Sequence, residues 1–303
     1  MLSLLKSLKG AEKFLALLAL FGYLTAEQLR KAAGYQPKSI GFLREKLDSL
    51  VAAGYVLALP GRFVTQPRVY TLTQTGYMYA AALGIQKAKR VRPAEERDKA
   101  RNRFFIEHTL AVSDVLVAAW RLAQTHPSIA LTTLYTEREL QRKIYVQLPE
   151  RICIEPDASC EFTVTETWHD APQTWQDFVH IEVYRHLPLQ PRFKQKIKGY
   201  VTSVDSGQHE ALFHTPALSI AVFCQTEYQT ITLKRWTEEA LAEMQRPEEG
   251  ERFFFRTIAT ATASPREMFL SSVWEQAFGT TKTPLLVLEE ETKERTPAHE
   301  IQR

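Results

Sequence analysis

Three short segments hold side chains whose types and order suit work on a phosphodiester: IEPDAS at 154–159, IEVYR at 181–185 and KQKIKGY at 194–200. They set Asp157 after a turn proline, Glu182 within an alternating run and Lys196 in a stretch of helical spacing. Cleaving a phosphodiester takes hard oxygen ligands for Mg²⁺, an activated water and a cation against the charge that builds on the phosphate. Two carboxylates and one lysine meet that minimum. Singly, a glutamate on a strand or a lysine on a helix flank ordinarily just faces water. The order of the three across successive elements is what singles them out.

Those elements can be read from periodicity. From Phe178 to Tyr184 the chain alternates, with Val179, Ile181 and Val183 on one face and Phe178, His180, Glu182 and Tyr184 on the other, which predicts a strand. Next, Phe193, Ile197, Tyr200, Val201 and Val204 recur at helical spacing, so Lys194, Lys196 and Lys198 rim a buried stripe. Lys196 and Tyr200 are one turn apart, and Tyr200 is expected in the core rather than as a nucleophile. Strands are predicted at 152–164, 178–184 and 217–224. The helix near 191–206 crosses between the second and third, a connection that favours parallel pairing in a mixed sheet. Upstream, Phe105–Ala123 is apolar at helical spacing, a long packing helix with His108 at its start and Asp114 further along. His108 is expected to make a structural hydrogen bond.

The first third has a different character. Residues 1–90 carry 8 Lys and 5 Arg against 3 Glu and 1 Asp, whereas the whole chain is only +3, so the remainder is acidic. Such asymmetry points the basic part at a polyanion. Thr25-Ala26-Glu27-Gln28 fits a capping box at a helix start, and Pro37 suits the first position of a further helix ending at Gly54. Strands at Tyr55–Leu59 and Arg68–Leu72 about a Pro60-Gly61 turn complete a winged helix-turn-helix, whose third helix enters the major groove of double-stranded DNA. Lys38, Ser39 and Phe42 lie opposite the buried stripe of that helix, Arg44 lies nearer its flank, and Arg62 and Arg68 bracket the wing. Lys38 and Ser39 are then expected at base edges and Arg44 at phosphate. The charged stretch 87–103 reads as a linker, and the run after Leu288 as a disordered tail.

At 303 residues with 45% hydrophobic content, the chain can bury real cores. Its three cysteines, Cys153, Cys160 and Cys224, have no CxxC spacing, which argues against a disulfide framework or zinc site and for a reducing cytoplasm. The apolar run at 14–24 is too short to span a bilayer and leads straight into a helix cap, so no membrane association is expected. No GxGxxG, P-loop or GxSxG pattern is present, which leaves nucleotide-dependent enzymes and α/β-hydrolases without support.

The Pro156-Asp157 pair followed by Glu182 resembles the PD-(D/E)xK, or restriction-endonuclease-like, superfamily. That pattern expects lysine two residues after the second acid, where this chain has Tyr184. Some members supply the lysine from the adjoining helix, which makes Lys196 the substitute, with Lys194 or Arg185 as further stand-ins. Glu137 or Glu139 matches the earlier acidic residue that the superfamily often carries. Over about 14–236 the chain resembles the replication-relaxation family of bacterial plasmid and mobile-element proteins. The likeness runs through LLALFGYLTAEQL (17–29), LREKLDSLVAAGYV (43–56), RVYTLTQTG (68–76), EHTLAVSDVLVA (107–118), EPDA (155–158), IEVYR and KIKGY (196–200). The resemblance implies an α+β protein: a winged helix at 1–86, then an α/β restriction-endonuclease-like domain with a mixed sheet at 104–287. It implies a DNA-binding protein in replication or relaxation, with a Mg²⁺-dependent endonuclease centre of Asp157, Glu182, Lys196 and Glu139 and the metal on Asp157 and Glu182. The alternative is a non-catalytic regulator or accessory factor whose second domain forms a homodimer or recruits a replication or relaxation partner.

Overall fold

The alternation around Glu182 becomes one long strand in the middle of a seven-stranded sheet. The structure, a computed structural model, describes residues 2–59, 67–85, 103–137, 139–140, 154–168 and 171–288. The Pro60-Gly61 turn, Arg62, Cys153, nearly all of the 87–103 linker and the tail from residue 289 lie outside them.

In the first third, α1 (Leu2–Ser7) and α2 (Gly10–Phe21) lead into β1 (Leu24–Thr25) and α3 (Ala26–Ala33). The apolar run is therefore a core helix, with every residue from Phe14 to Phe21 buried. The capping box forms as its residue types require: the Thr25 hydroxyl accepts from the Gln28 amide and the Gln28 side chain accepts from Thr25 N–H. Gly34 ends α3 at φ +79°, a conformation glycine adopts without penalty. A 3₁₀ turn at Pro37–Ser39 then runs into α4 (Ile40–Ala52), which buries Leu43, Leu47 and Leu50. Strands β2 (Val56–Leu59) and β3 (Val69–Leu72) pair antiparallel in the order β1-β3-β2, and α5 (Gln74–Ala82) follows.

The rest is built on α6 (Arg103–Thr125), the long apolar helix, and on the large sheet. Its strands are β4 (Ile129–Thr136), β5 (Ala158–Trp168), β6 (Ala171–Tyr184), β7 (Ser219–Cys224), β8 (Phe253–Thr257), β9 (Trp274–Gln276) and β10 (Lys282–Thr283), side by side in reverse sequence order from β10 to β4. β6, β7 and β8 run parallel and the other pairs antiparallel, the mixed sheet expected. Helices α7 (Gln190–Asp205) and α8 (Gln208–Phe213) connect β6 to β7, and α9 (Glu227–Glu243) connects β7 to β8. A short α10 (Pro265–Phe269) follows β8.

Parallel strands joined by helical crossovers are covered on both faces. Val179, Ile181 and Val183 join the core that holds α6, whereas Phe178, Ile220, Val222, Phe253 and Phe255 pack against Phe193, Ile197 and Tyr200 of α7 and Leu233 of α9. The α6 core is continuous with that of the first third. Trp120 Nε1 donates to the Ala32 carbonyl at 3.0 Å, and Ser113 Oγ donates to that of Tyr23 at 3.1 Å. Among the described residues, no helix is long and apolar enough to cross a membrane.

Candidate functional site

Asp157 stands where the chain enters β5, one residue before the Ala158–Ile181 pair. Its own N–H donates to the Ile181 carbonyl at 3.0 Å, and its Oδ2 accepts from the Val183 N–H at 2.7 Å. The carboxylate thus serves as an acceptor at the end of the β5–β6 ladder, where a residue following a turn proline has left the regular pairing. Its other oxygen, Oδ1, lies 3.1 Å from His108 Nε2 at the start of α6. The structural hydrogen bond foreseen for His108 therefore has its partner at the candidate centre.

Glu182 lies on the face of β6 covered by α7 and is 2% exposed. Across it sits the ammonium of Lys196, 2.5 Å from Oε1 and 2.6 Å from Oε2. One turn on, the Tyr200 hydroxyl donates to Oε1. The helical spacing of Lys196 and Tyr200 is what brings both donors to one carboxylate. Tyr184, at the position where the nuclease pattern expects lysine, faces the same carboxylate. Lys194 pairs instead with Glu239 and Glu243, and Arg185 with Glu107 at 2.6 Å.

Burial pushes Glu182 up to about 7, against the pull of Lys196, and the nearby Asp157 adds to the rise. Burial works in the same direction on Asp157, but the His108 hydrogen bond and charge, with Lys196 and the Val183 N–H, hold it below the usual aspartate value. His108 is disfavoured as a cation by burial, yet Asp157, Glu137 and Glu182 raise it above the ordinary histidine range. Tyr184 and Tyr200 are pushed well above normal, first by burial and then by the charge on Glu182.

Asp157, Glu182, Lys196, His108 and Glu137 line one cleft of about 760 Å³, with Arg192 at its rim. Of the two earlier acids, it is Glu137 that faces this space. Glu139 turns to its own strand end, where its Oε2 accepts from the Thr136 amide at 2.9 Å and hydroxyl at 3.0 Å. Mg²⁺ needs oxygen ligands in near-ideal octahedral array. Both Glu182 oxygens face an ammonium in the position a chelated cation would take, and both Asp157 oxygens accept hydrogen bonds. As arranged, the residues do not fit the metal. No group of three or more His, Cys, Asp or Glu among the described residues is placed to hold one.

Beneath the cleft, Ser159 Oγ and His180 Nδ1 are 2.6 Å apart and buried, and the His209 ring lies 5.7 Å from that of His180. Burial, then His209 and Lys196, keep His180 far below its normal value and hence neutral. The alternation put His180 on this face, but its partners come from β5 and α8, which no local pattern connects.

In the first third, Lys38, Phe42 and Arg44 are exposed on and just before α4, with Phe42 at 49%, and Ser39 is half-buried. Lys46 lies over the Phe42 ring at 5.6 Å, and Arg68 reaches Asp48 of the same helix at 3.4 Å. Lys38 and Ser39 thus lie in the turn before α4, and Phe42 and Arg44 flank its buried Leu43–Leu47 stripe on either side, both exposed.

Comparison with curated proteins and with solved structures gave no match. The family model described as replication-relaxation matches residues 15–214, from within α2 through α8 and including every residue of the Asp157–Glu182–Lys196 cluster. The chain belongs to the replication-relaxation family.

Proposed function

We propose that this is a DNA-binding protein acting in the replication or relaxation of a plasmid or other mobile element, and that its first third docks on duplex DNA as a winged helix. The observation that carries this reading is the exposed surface around α4, with Lys38 in the turn before it and Phe42 and Arg44 on the helix, which leads into an antiparallel β2–β3 pair in the basic part of the chain. Three helices (α2, α3, α4) and a hairpin in that order present the third helix, α4, to the major groove. Fluorescence anisotropy of a labelled duplex tests it. Affinity falls steeply with salt as phosphate counterions are released, and Lys38→Glu with Arg44→Glu weakens binding while circular dichroism stays unchanged. Salt-insensitive binding, or full affinity in the double variant, would remove the interface from α4.

The second part is read as a restriction-endonuclease-like domain with a closed centre, kept for docking, for a homodimer or for a replication partner. The ammonium of Lys196 across Glu182 supports closure. A second reading, metal-dependent cutting, is favoured by the presence of Asp157, Glu182 and Lys196 in one cleft. It requires Lys196 to leave Glu182, so that Asp157 and Glu182, with Glu137 or Glu139, hold Mg²⁺. Nicking of supercoiled plasmid with Mg²⁺ or Mn²⁺ decides between them. Activity lost in Asp157→Ala supports cutting, and equal nicking by both proteins eliminates it.

A further inference from the structure

Away from that centre, Arg121, on the last turns of α6, is a half-buried cation with no carboxylate within ion-pair distance among the described residues. One of its five N–H donors reaches Gln124 Oε1 at 2.7 Å. Its charged neighbours are cations. Burial first, and then Arg30, lower the affinity of Arg121 for its proton, and burial and Arg121 do the same to Lys13. Arg30 has a partner of its own in Glu27 at 2.6 Å, so Arg121 stays uncompensated. A charge taken out of water without a partner is costly, and such an arrangement persists most readily where an anion completes it.

Space for that anion is present. A cleft of about 580 Å³ lies between the turn at Gly34–Pro37, α6 and the segment 260–266, with Arg121, Lys31 and Arg266 in its walls. Lys31 Nζ also donates to the Ala261 carbonyl at 2.6 Å, which ties the turn side to the far wall. Asp114 is the single carboxylate among the lining residues. It is raised by burial and accepts from Gln28 at 2.7 Å and Thr260 at 3.3 Å, so it belongs to the floor. Arg121 and Lys31 thus stand in the walls against the one carboxylate of the floor. The guanidinium lies close over Gly34, where an added Cβ would stand 2.7 Å from Arg121 Nη1.

We propose that this cleft is a phosphate site in which Arg121, with Lys31, takes one phosphate group, supplied by the duplex backbone that flanks α4. The planar guanidinium matches phosphate oxygens with parallel N–H bonds. The turn that forms one wall leads directly to exposed Lys38, which puts the site beside the helix assigned to the groove. The choice of backbone phosphate rests on the DNA-binding reading; the phosphate chemistry does not.

The test uses the full chain, Arg121→Gln, Lys31→Gln and, as a control, the exposed Arg235→Gln. In a first arm, unfolding temperature is followed with inorganic phosphate against chloride at matched ionic strength. Phosphate stabilises the wild type and the control, and less or not at all the two cleft variants. In a second arm, duplex affinity is measured against salt. Arg121→Gln binds more weakly, and the slope of log affinity on log salt falls by about 1, as for one lost phosphate contact. Loss of phosphate stabilisation with unchanged duplex binding would keep the phosphate site and overturn the backbone source, leaving a free phosphate-bearing ligand. Cleft variants that match the wild type in both arms overturn the proposal. A wild type that binds no duplex defeats the DNA-binding reading instead, and the first arm still decides the phosphate site.

Discussion

Lys196 lies across the carboxylate of Glu182 and not beside it, its Nζ within 2.6 Å of both oxygens. Glu182 is all but sealed, whereas the lysine side chain is 20% exposed at the cleft. Removing one member of a buried pair leaves the other uncompensated, at a cost of about 3 kcal/mol or more. Lys196→Met should lower stability by about that amount in urea unfolding. Glu182→Gln should cost less, because it leaves an amide oxygen for Tyr200, and adding it to Lys196→Met should recover most of the loss. A double variant as unstable as the two single losses summed would show that the pair does not act as a unit.

The same carboxylate sets a pH dependence. Glu182 titrates near 4.5 in an open chain and at about 7 when folded, so between these values the folded protein holds the extra proton. Stability from this group is full below 4.5 and falls as pH rises toward 7, by on the order of 3 kcal/mol. His108 acts with the same sign: raised in the fold, it stabilises below its ordinary value and loses this as pH rises through the folded one. His180 and His209, both lowered, work the other way as pH falls. The comparison of wild type with Glu182→Gln isolates the glutamate. The variant should lose less stability than the wild type between pH 5 and pH 8, and parallel urea midpoints would show that Glu182 does not titrate there.

Much of what positions the cluster was legible in local pattern. Alternation over Phe178–Tyr184 separated the two faces that the sheet packs into different cores. The spacing of Lys196 and Tyr200 set both on one side of α7, and the types of Thr25 and Gln28 fixed a helix start. The burial of Glu182 was not legible, because period-two placement of a charge is the same on a solvated sheet; only the covering of that face by α7 and α9 decides it. Strand β4 has no local signature for a related reason. It sits at the sheet edge, with exposed residues among the buried ones, and owes its pairing to β5, whose residues are remote in sequence. Arg121 gives no signal at all in one dimension, since what marks it is that, among the described residues, no carboxylate pairs with it in space.

Gln28 joins the two halves of the chain. Its side-chain oxygen caps α3 through Thr25, while its Nε2 donates to the Leu110 carbonyl at 2.8 Å and to Asp114 at 2.7 Å, both on α6. Gln28→Ala removes one cap and two cross-links and leaves Asp114 with less support in its buried place. A loss of about 2 kcal/mol is expected from the cap and one charged hydrogen bond together. Gln28→Glu should be as harmful, because it sets a second carboxylate against Asp114. Urea midpoints of the three proteins check this, and a glutamate variant as stable as wild type would mean that Asp114 is protonated in the fold.

If the ammonium of Lys196 occupies the position of a chelated cation, taking it away should open that position. In Lys196→Ala, Glu182 loses its counter-charge while Asp157 keeps its place in the same cleft, so a divalent cation becomes the readiest way to neutralise the pair. Any ligand that binds only the folded state stabilises it in proportion to the logarithm of its concentration above its dissociation constant. Mg²⁺ or Mn²⁺ should therefore raise the unfolding temperature of Lys196→Ala and leave the wild type unmoved, with Ca²⁺ as a control for ion size and Na⁺ for ionic strength. The gain should vanish in Lys196→Ala with Asp157→Asn, since a single buried carboxylate supplies too little charge to hold the ion. A wild type stabilised as strongly as the variant would show that the cation enters without displacing Lys196, and would move the balance toward the cutting reading.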